Sequence, residues 1–211
     1  MGRGRPRKFD RKKALDTALK LFWQHGYEGT SVAMLAEAIG IQAPSLYAAF
    51  GSKQELFTQA IERYGELAGP MYHDSLKKKT AREVAQAILE GEVELVTRRN
   101  TPNGCLMVQG ALATSPESEK ICKLMASMRG MAEGWMSKRF KQAKKEGDLP
   151  PDADPKALAC YLMTLNSGLA VQAKSGVSKQ RLLKVIHIAM QNWPNALPHI
   201  YHSFPLLKGP S

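Results

Sequence analysis

The stretch from Thr30 to Lys53 constrains the fold of this chain more than any other. Val32, Leu35, Ala36 and Ile39 recur at the spacing of one helical face. Gly40 supplies a turn, and Leu46 and Phe50 carry an apolar face onto a second short helix. Two short amphipathic helices around a glycine turn make a helix-turn-helix. The second helix leaves Ala43, Pro44, Ser45, Tyr47, Ala48 and Ala49 outward, small side chains with one hydroxyl, one phenol and no charge. Such a surface suits a helix that enters a groove about 12 Å wide and meets base edges and thymine methyls. The pattern predicts a reader of double-stranded DNA.

Charge is distributed accordingly. Lysine and arginine total 30 against 19 aspartate and glutamate, a formal net charge of +11. Residues 1–53 hold nine basic and four acidic side chains, net +5, while the other 158 residues carry net +6, so the excess is more than twice as dense at the reading end. That asymmetry favours a polyanionic partner over a basic tail that serves only solubility. Within the arm, Arg3-Gly-Arg5-Pro-Arg7-Lys8 is similar to the core of a minor-groove AT-hook, which would carry Arg5 and Arg7 into a narrow A·T groove. A tail giving only nonspecific attraction is the alternative.

Elsewhere the periodicity is helical throughout. A first helix over residues 11–25 carries the stripe Ala14, Leu15, Ala18, Leu19 and Phe22 and ends at Gly26. Ser52 followed by Glu55 reads as a capping box, opening a helix through Leu56, Phe57, Ala60, Ile61 and Tyr64 to a break at Gly69-Pro70. Further helices are predicted over 80–99, 104–114, 116–146, 154–174 and 178–193, and no strand-like alternation competes. The expected fold is all-α, about nine helices: an N-terminal helix-turn-helix head (1–70), a helical bundle for ligand binding and dimerisation (71–196) and a proline-broken irregular tail (197–211).

In this arrangement the chain resembles the tetracycline-repressor-like (TetR/AcrR) family of bacterial transcription regulators. The resemblance is carried by Gly-Arg-Pro-Arg-Lys-Phe-Asp, then Ala-Leu-x-x-Ala-Leu-x-Leu-Phe-Trp-x-x-Gly-Tyr-x-x-Thr-Ser. It continues in Leu-Ala-x-Ala-x-Gly-Ile and Pro-Ser-Leu-Tyr-x-x-Phe-x-Ser-Lys-x-x-Leu-Phe. The C-terminal half matches only in helix layout and in pieces such as Gly147-Asp148-Leu149 with Asp154-Pro155. The resemblance implies a homodimeric repressor on a palindromic operator, released by a small molecule held in the bundle. It places Thr30 and Ser31 at the start of the motif's first helix, Tyr47 and Lys53 at phosphate-holding positions, and Gln42, Ala43, Pro44 and Ser45 at the base-reading end. Many relatives have Ser or Asn where this chain has Gln42, which makes Gln42 itself a candidate base contact.

The bundle is rich in methionine and aromatic residues along 104–140. An adaptable apolar cavity is expected there, with Met107, Gln109, Met125, Met128, Trp135, Tyr161 and Asn166 as candidate contacts to a hydrophobic effector. Cys105 follows Gly104 at a helix start, where a thiolate is favoured, so a redox- or electrophile-sensing thiol is an alternative to the effector. Apolar stripes on the last two helices, including Leu165, Leu169, Leu182, Ile186, Ala189, Met190 and Trp193, are expected to form the dimer interface.

Three widely spaced cysteines argue against a disulfide framework or a zinc site, and no cofactor is expected. His199 and His202 lack a third ligand nearby, and no P-loop, G-x-S-x-G or H-E-x-x-H motif suggests an enzyme. No stretch approaches the roughly 18 apolar residues of a membrane span, so a cytoplasmic protein is expected, nucleoid-associated when bound to DNA. A protein that coats DNA without any effector would account for the arm and the charge but not for the bundle.

Overall fold

The computed structural model describes residues 10–112 and 115–194. Among them the regular structure is nine α-helices and one short 3₁₀ turn, and no strand. They are α1 (Arg11–His25), α2 (Val32–Ile39), α3 (Ala43–Phe50), α4 (Lys53–Leu76), α5 (Ala81–Val96), α6 (Leu106–Gln109), the turn Pro116–Ser118, α7 (Glu119–Lys145), α8 (Pro155–Lys174) and α9 (Lys179–Gln191). Arg5 and Arg7 of the arm, His199, His202 and the expected tail lie outside the described residues.

Short-range signals start these helices. The side chains of Asp10, Ser31, Ser52, Thr80 and Asp154 each accept a backbone N–H from the first turn that follows. Each such cap contributes about 1 kcal/mol. Ser52 with Glu55 and Thr80 with Glu83 complete reciprocal capping boxes. At the α2–α3 corner Gly40 adopts φ 77°, ψ 35°, a left-handed conformation that a Cβ would strain, and the two helices diverge by 92°. Leu35, Leu46 and Phe50 meet Phe22 and Phe57 beneath that corner, with Phe22 and Phe57 edge to face at 4.9 Å.

One predicted boundary is absent. α4 passes through Gly69 and Pro70 without ending and runs from head into bundle. Pro70 removes one intrahelical hydrogen bond, a cost of about 3 kcal/mol. Beyond it, Ser75 is buried and Tyr72 and Leu76 pack against the core, contacts that the chain makes only by continuing as a helix. The helix expected over 104–114 shrinks to Leu106–Gln109, because the Gly110 carbonyl turns away to accept the Tyr27 N–H at 2.8 Å.

α5 is the centre of the bundle, packing against α4, α7, α8 and α9 with Val84, Ala85, Ile88, Leu89, Val93 and Val96 buried. Asp148, beyond the end of α7, accepts the Ala81 N–H and ties the start of α5 to the far side of the bundle. The expected dimer stripe needs correction. Ile186, Ala189, Met190 and Trp193 face the interior of the protomer, Trp193 against Phe140 at 5.5 Å. Leu169 and Leu182 are also buried, and with the partly buried Leu165 they line a shallow groove between α8 and α9. The apolar residues left to solvent on these helices are instead Tyr161, Val171, Leu183, Val185 and Ile188. Periodicity located the stripes, but each helix has two apolar faces, and packing against α5 and α7 decided which one is covered.

Candidate DNA interface and effector cavity

α3 presents its outward face as a shallow polar and methyl-bearing surface. Gln42, Pro44, Ser45, Tyr47 and Ala48 are exposed, Ala43 half-buried, and none of them carries charge. Gln42 occupies the N-cap position but makes no side-chain cap bond, while Pro44 sits in the first turn, where its missing N–H costs nothing. Ser31 is exposed, and its hydroxyl oxygen accepts the Met34 N–H at 3.1 Å as the cap of α2. Lys53, the first residue of α4, is half-buried, with Nζ 4.3 Å from the Tyr27 ring centroid. Burial pushes its pKa down while Glu28 opposes the shift. Ring contact fixes the position of this ammonium, three residues beyond the end of α3. Thr30 is the exception among the candidates: it is fully buried, and its hydroxyl donates to the Gly26 carbonyl at 2.7 Å, closing the α1–α2 turn.

The head is latched to the bundle through the segment around α6. Trp23 Nε1 donates to the Gly104 carbonyl at 2.7 Å, Gln109 Nε2 donates to the Trp23 carbonyl at 2.8 Å, and the Glu28 carboxylate accepts the Ser115 N–H at 3.0 Å. With the Tyr27–Gly110 bond, these fasten the end of α1 to residues 104–115.

The other side of the same segment lines a cavity of about 200 Å³ among α4, α5, α6, α7 and α8. Its walls are mostly apolar and aromatic, with Met107, Met128, Met131, Met163, Tyr64, Tyr72 and Trp135 prominent. Trp135 and Met131 are half-exposed on its outer side. Of the effector candidates, Met107, Met128, Trp135 and Asn166 line the cavity. Three do not. Met125 is sealed in the core, Gln109 is occupied by the Trp23 and Asn103 carbonyls, and Tyr161 is exposed on the outer surface of α8.

Four polar groups in the cavity went unnoticed in the sequence: Tyr64, Tyr72, Glu92 and Arg129. The signal for Glu92 was present, since it falls on the apolar stripe of α5 between Ile88 and Val96. It is fully buried, and neither carboxylate oxygen has a hydrogen-bond partner among the described residues. Burial raises its pKa to about 7; Cys105 and Asn166 lie close enough to temper the rise but not in hydrogen-bonding geometry. Asn166 Nδ2 donates to the Tyr72 hydroxyl at 2.9 Å, leaving its own Oδ1 unpartnered. Arg129 is held apart, donating to the Met107 carbonyl at 2.7 Å.

Cys105 lines the cavity too, accepting the Tyr64 hydroxyl at 3.2 Å. The expectation of a thiolate favoured by a helix start is corrected here. α6 is a single four-residue turn, and burial together with the Glu92 charge pushes the thiol far up, so the resting form is S–H. Among the described residues no group of three or more His, Cys, Asp or Glu is placed to hold a metal, and no single helix is long and apolar enough to cross a membrane.

A glycine-cornered helix pair on a compact three-helix core, joined by a continuous α4 to a larger bundle, defines a helix-turn-helix regulator. Comparison with known proteins agrees over both halves. Residues 14–60 match the family described as bacterial regulatory proteins, tetR family, and residues 81–188 match the tetracyclin repressor-like C-terminal domain. The chain is 35% identical to the HTH-type transcriptional repressor ComR of Escherichia coli (strain K12) over 194 residues, 91% of this chain and 92% of that protein. It is 27% identical to the HTH-type transcriptional repressor BdcR of the same organism over 181 residues, covering 85% and 86% of the two chains. Among solved structures, a cysteine mutant of the TetR family transcriptional regulator CifR, complexed with 26 bp double-strand operator DNA, superimposes with TM-score 0.85 at 42% identity. That match covers 90% of this chain and all of that one. The chain belongs to the tetR family of bacterial regulatory proteins and is a DNA-binding transcriptional regulator.

Proposed function

We propose that the chain is a cytoplasmic, non-enzymatic homodimeric repressor of a palindromic operator, and that a small, mainly apolar guest in the bundle cavity releases it from DNA. The observation that carries this reading is the double use of one segment: Cys105, Met107 and Val108 line the cavity while Gly104, Gln109 and Gly110 hold Trp23 and Tyr27 of the head. A guest that displaces Met107 or Val108 therefore shifts the head that carries α3. Each tenfold preference of the guest for the DNA-free shape weakens operator binding by about 1.4 kcal/mol at saturation. On the DNA side, Gln42, Ala43, Pro44 and Ser45 read bases, while Tyr47, Lys53 and the exposed Ser31 hold phosphates. Thr30 shapes the turn that presents Ser31. The exposed residues of α8 and α9 form the two-fold interface, setting two copies of α3 roughly 34–36 Å apart or somewhat farther.

Footprinting combined with thermal-shift screening tests this reading. One short protected palindrome, lost when a stabilising hydrophobic compound is added, is the expected result. Protection of all DNA alike would instead leave a coating protein.

A further inference from the structure

The cavity wall is mostly apolar, and two of its residues carry three acceptor oxygens with no hydrogen-bond partner among the described residues: both carboxylate oxygens of Glu92 and Oδ1 of Asn166. Glu92 is fully buried and Asn166 is 2% exposed, so bulk water does not satisfy them. A buried acceptor left unsatisfied costs about 1–3 kcal/mol, more when it is charged. Such groups are kept for a partner. Tyr64 is spent on Cys105 and one Asn166 N–H on Tyr72; the Cys105 S–H, the Tyr72 O–H and the second Asn166 N–H remain, but none meets these oxygens in hydrogen-bonding geometry and none carries a charge. What is missing is a group with several N–H donors, a positive charge and no acceptor, which describes a primary ammonium. The rings of Tyr64, Tyr72 and Trp135 line the same space, and aromatic faces favour a cation as well as an apolar body.

We infer that the cavity is a site for a small primary amine with an aromatic or aliphatic body, its ammonium seated between Glu92 and Asn166. This deepens the effector reading above and rests on it only for the consequence at the operator. The groups facing Glu92 are Tyr64 and Tyr72 on α4, Cys105 before α6 and Asn166 on α8; Arg129 on α7 also lines the cavity, and Glu92 has no ion-pair partner among the described residues. No charged side chain of α9 lines it. Because burial holds the Glu92 carboxyl protonated below neutral pH, binding a cation beside it expels that proton. The amine keeps its own charge throughout, since its pKa is about 10. Affinity therefore rises about tenfold per pH unit below neutrality and levels off above it.

The test is isothermal titration of the full chain with benzylamine, 2-phenylethylamine, 3-phenylpropylamine and 4-phenylbutylamine beside the matched alcohols and carboxylates. At least one amine should bind more than tenfold tighter than its alcohol, release close to one proton at pH 6, and lose at least tenfold on Glu92→Gln. Proton release by the unmodified protein keeps the test valid if that variant folds poorly. Equal binding of the alcohols or carboxylates, no proton release, or no amine binding below 1 mM overturns the inference. Operator release is read separately. Amines that bind through Glu92 without releasing DNA would leave the site standing and remove the effector reading, whereas release by neutral compounds alone would do the reverse.

Discussion

Glu92→Gln should change how the stability of the free protein depends on pH. In the unfolded chain this carboxyl titrates in the ordinary glutamate range near 4.5, while in the fold it titrates at about 7. The folded-state value is raised, so the native state holds the proton that the unfolded state gives up. Stability on this account is lost as pH climbs from 4.5 and stops falling above 7. Linkage over these two values gives a loss of about 2 kcal/mol between pH 5.5 and 8, with a plateau near 3 kcal/mol. The glutamine side chain of the variant fills almost the same volume and does not titrate, so its stability curve lacks this component. Urea unfolding of both proteins at pH 5.5 and pH 8, at one fixed protomer concentration, isolates it, because every other titrating group is common to the two. The variant should gain about 2 kcal/mol on the parent between the two pH values. Parallel pH profiles, within about 0.5 kcal/mol, would show that Glu92 is solvated or paired in solution and would refute the reasoning.

Three further outcomes are expected. Lys53→Ala should weaken binding to all DNA sequences alike and lower the salt dependence by about one phosphate contact, checked by titrations at several salt concentrations; an unchanged slope would remove Lys53 from the interface. Ile188→Glu, on the exposed side of α9, should yield a folded monomer in sedimentation and abolish operator binding, and a stable dimer would place the interface elsewhere. Trp23→Phe removes the 2.7 Å bond to Gly104 and strands a buried carbonyl, so it should cost about 1–3 kcal/mol in urea unfolding and blunt effector-driven release. Full release despite that loss would mean the latch does not carry the signal.

Much of the molecule was legible in the sequence, for reasons that are local. The α2–α3 corner follows from Gly40 and the apolar spacing on either side, the start of α4 from Ser52 with Glu55, and the uncharged face of α3 from the residues left over once Leu46 and Phe50 are buried. Each depends on contacts within a few residues, so order along the chain is enough to specify it. Tertiary structure decided what depends on competition between faces. Pro70 reads as a helix stop, yet the helix runs on and packs Tyr72, Ser75 and Leu76 beyond it. Met125 and Met128 are three residues apart on α7, and only the second reaches the cavity. Gln109 looked like a ligand contact and is instead held by the Trp23 carbonyl, 86 residues away in sequence. Glu92 was visible as a charge on an apolar stripe, but its meaning depended on the surroundings. Only the packing of α4, α6 and α8 around it left its oxygens buried and unpaired at the cavity wall, and desolvation is a property of those surroundings rather than of the residue.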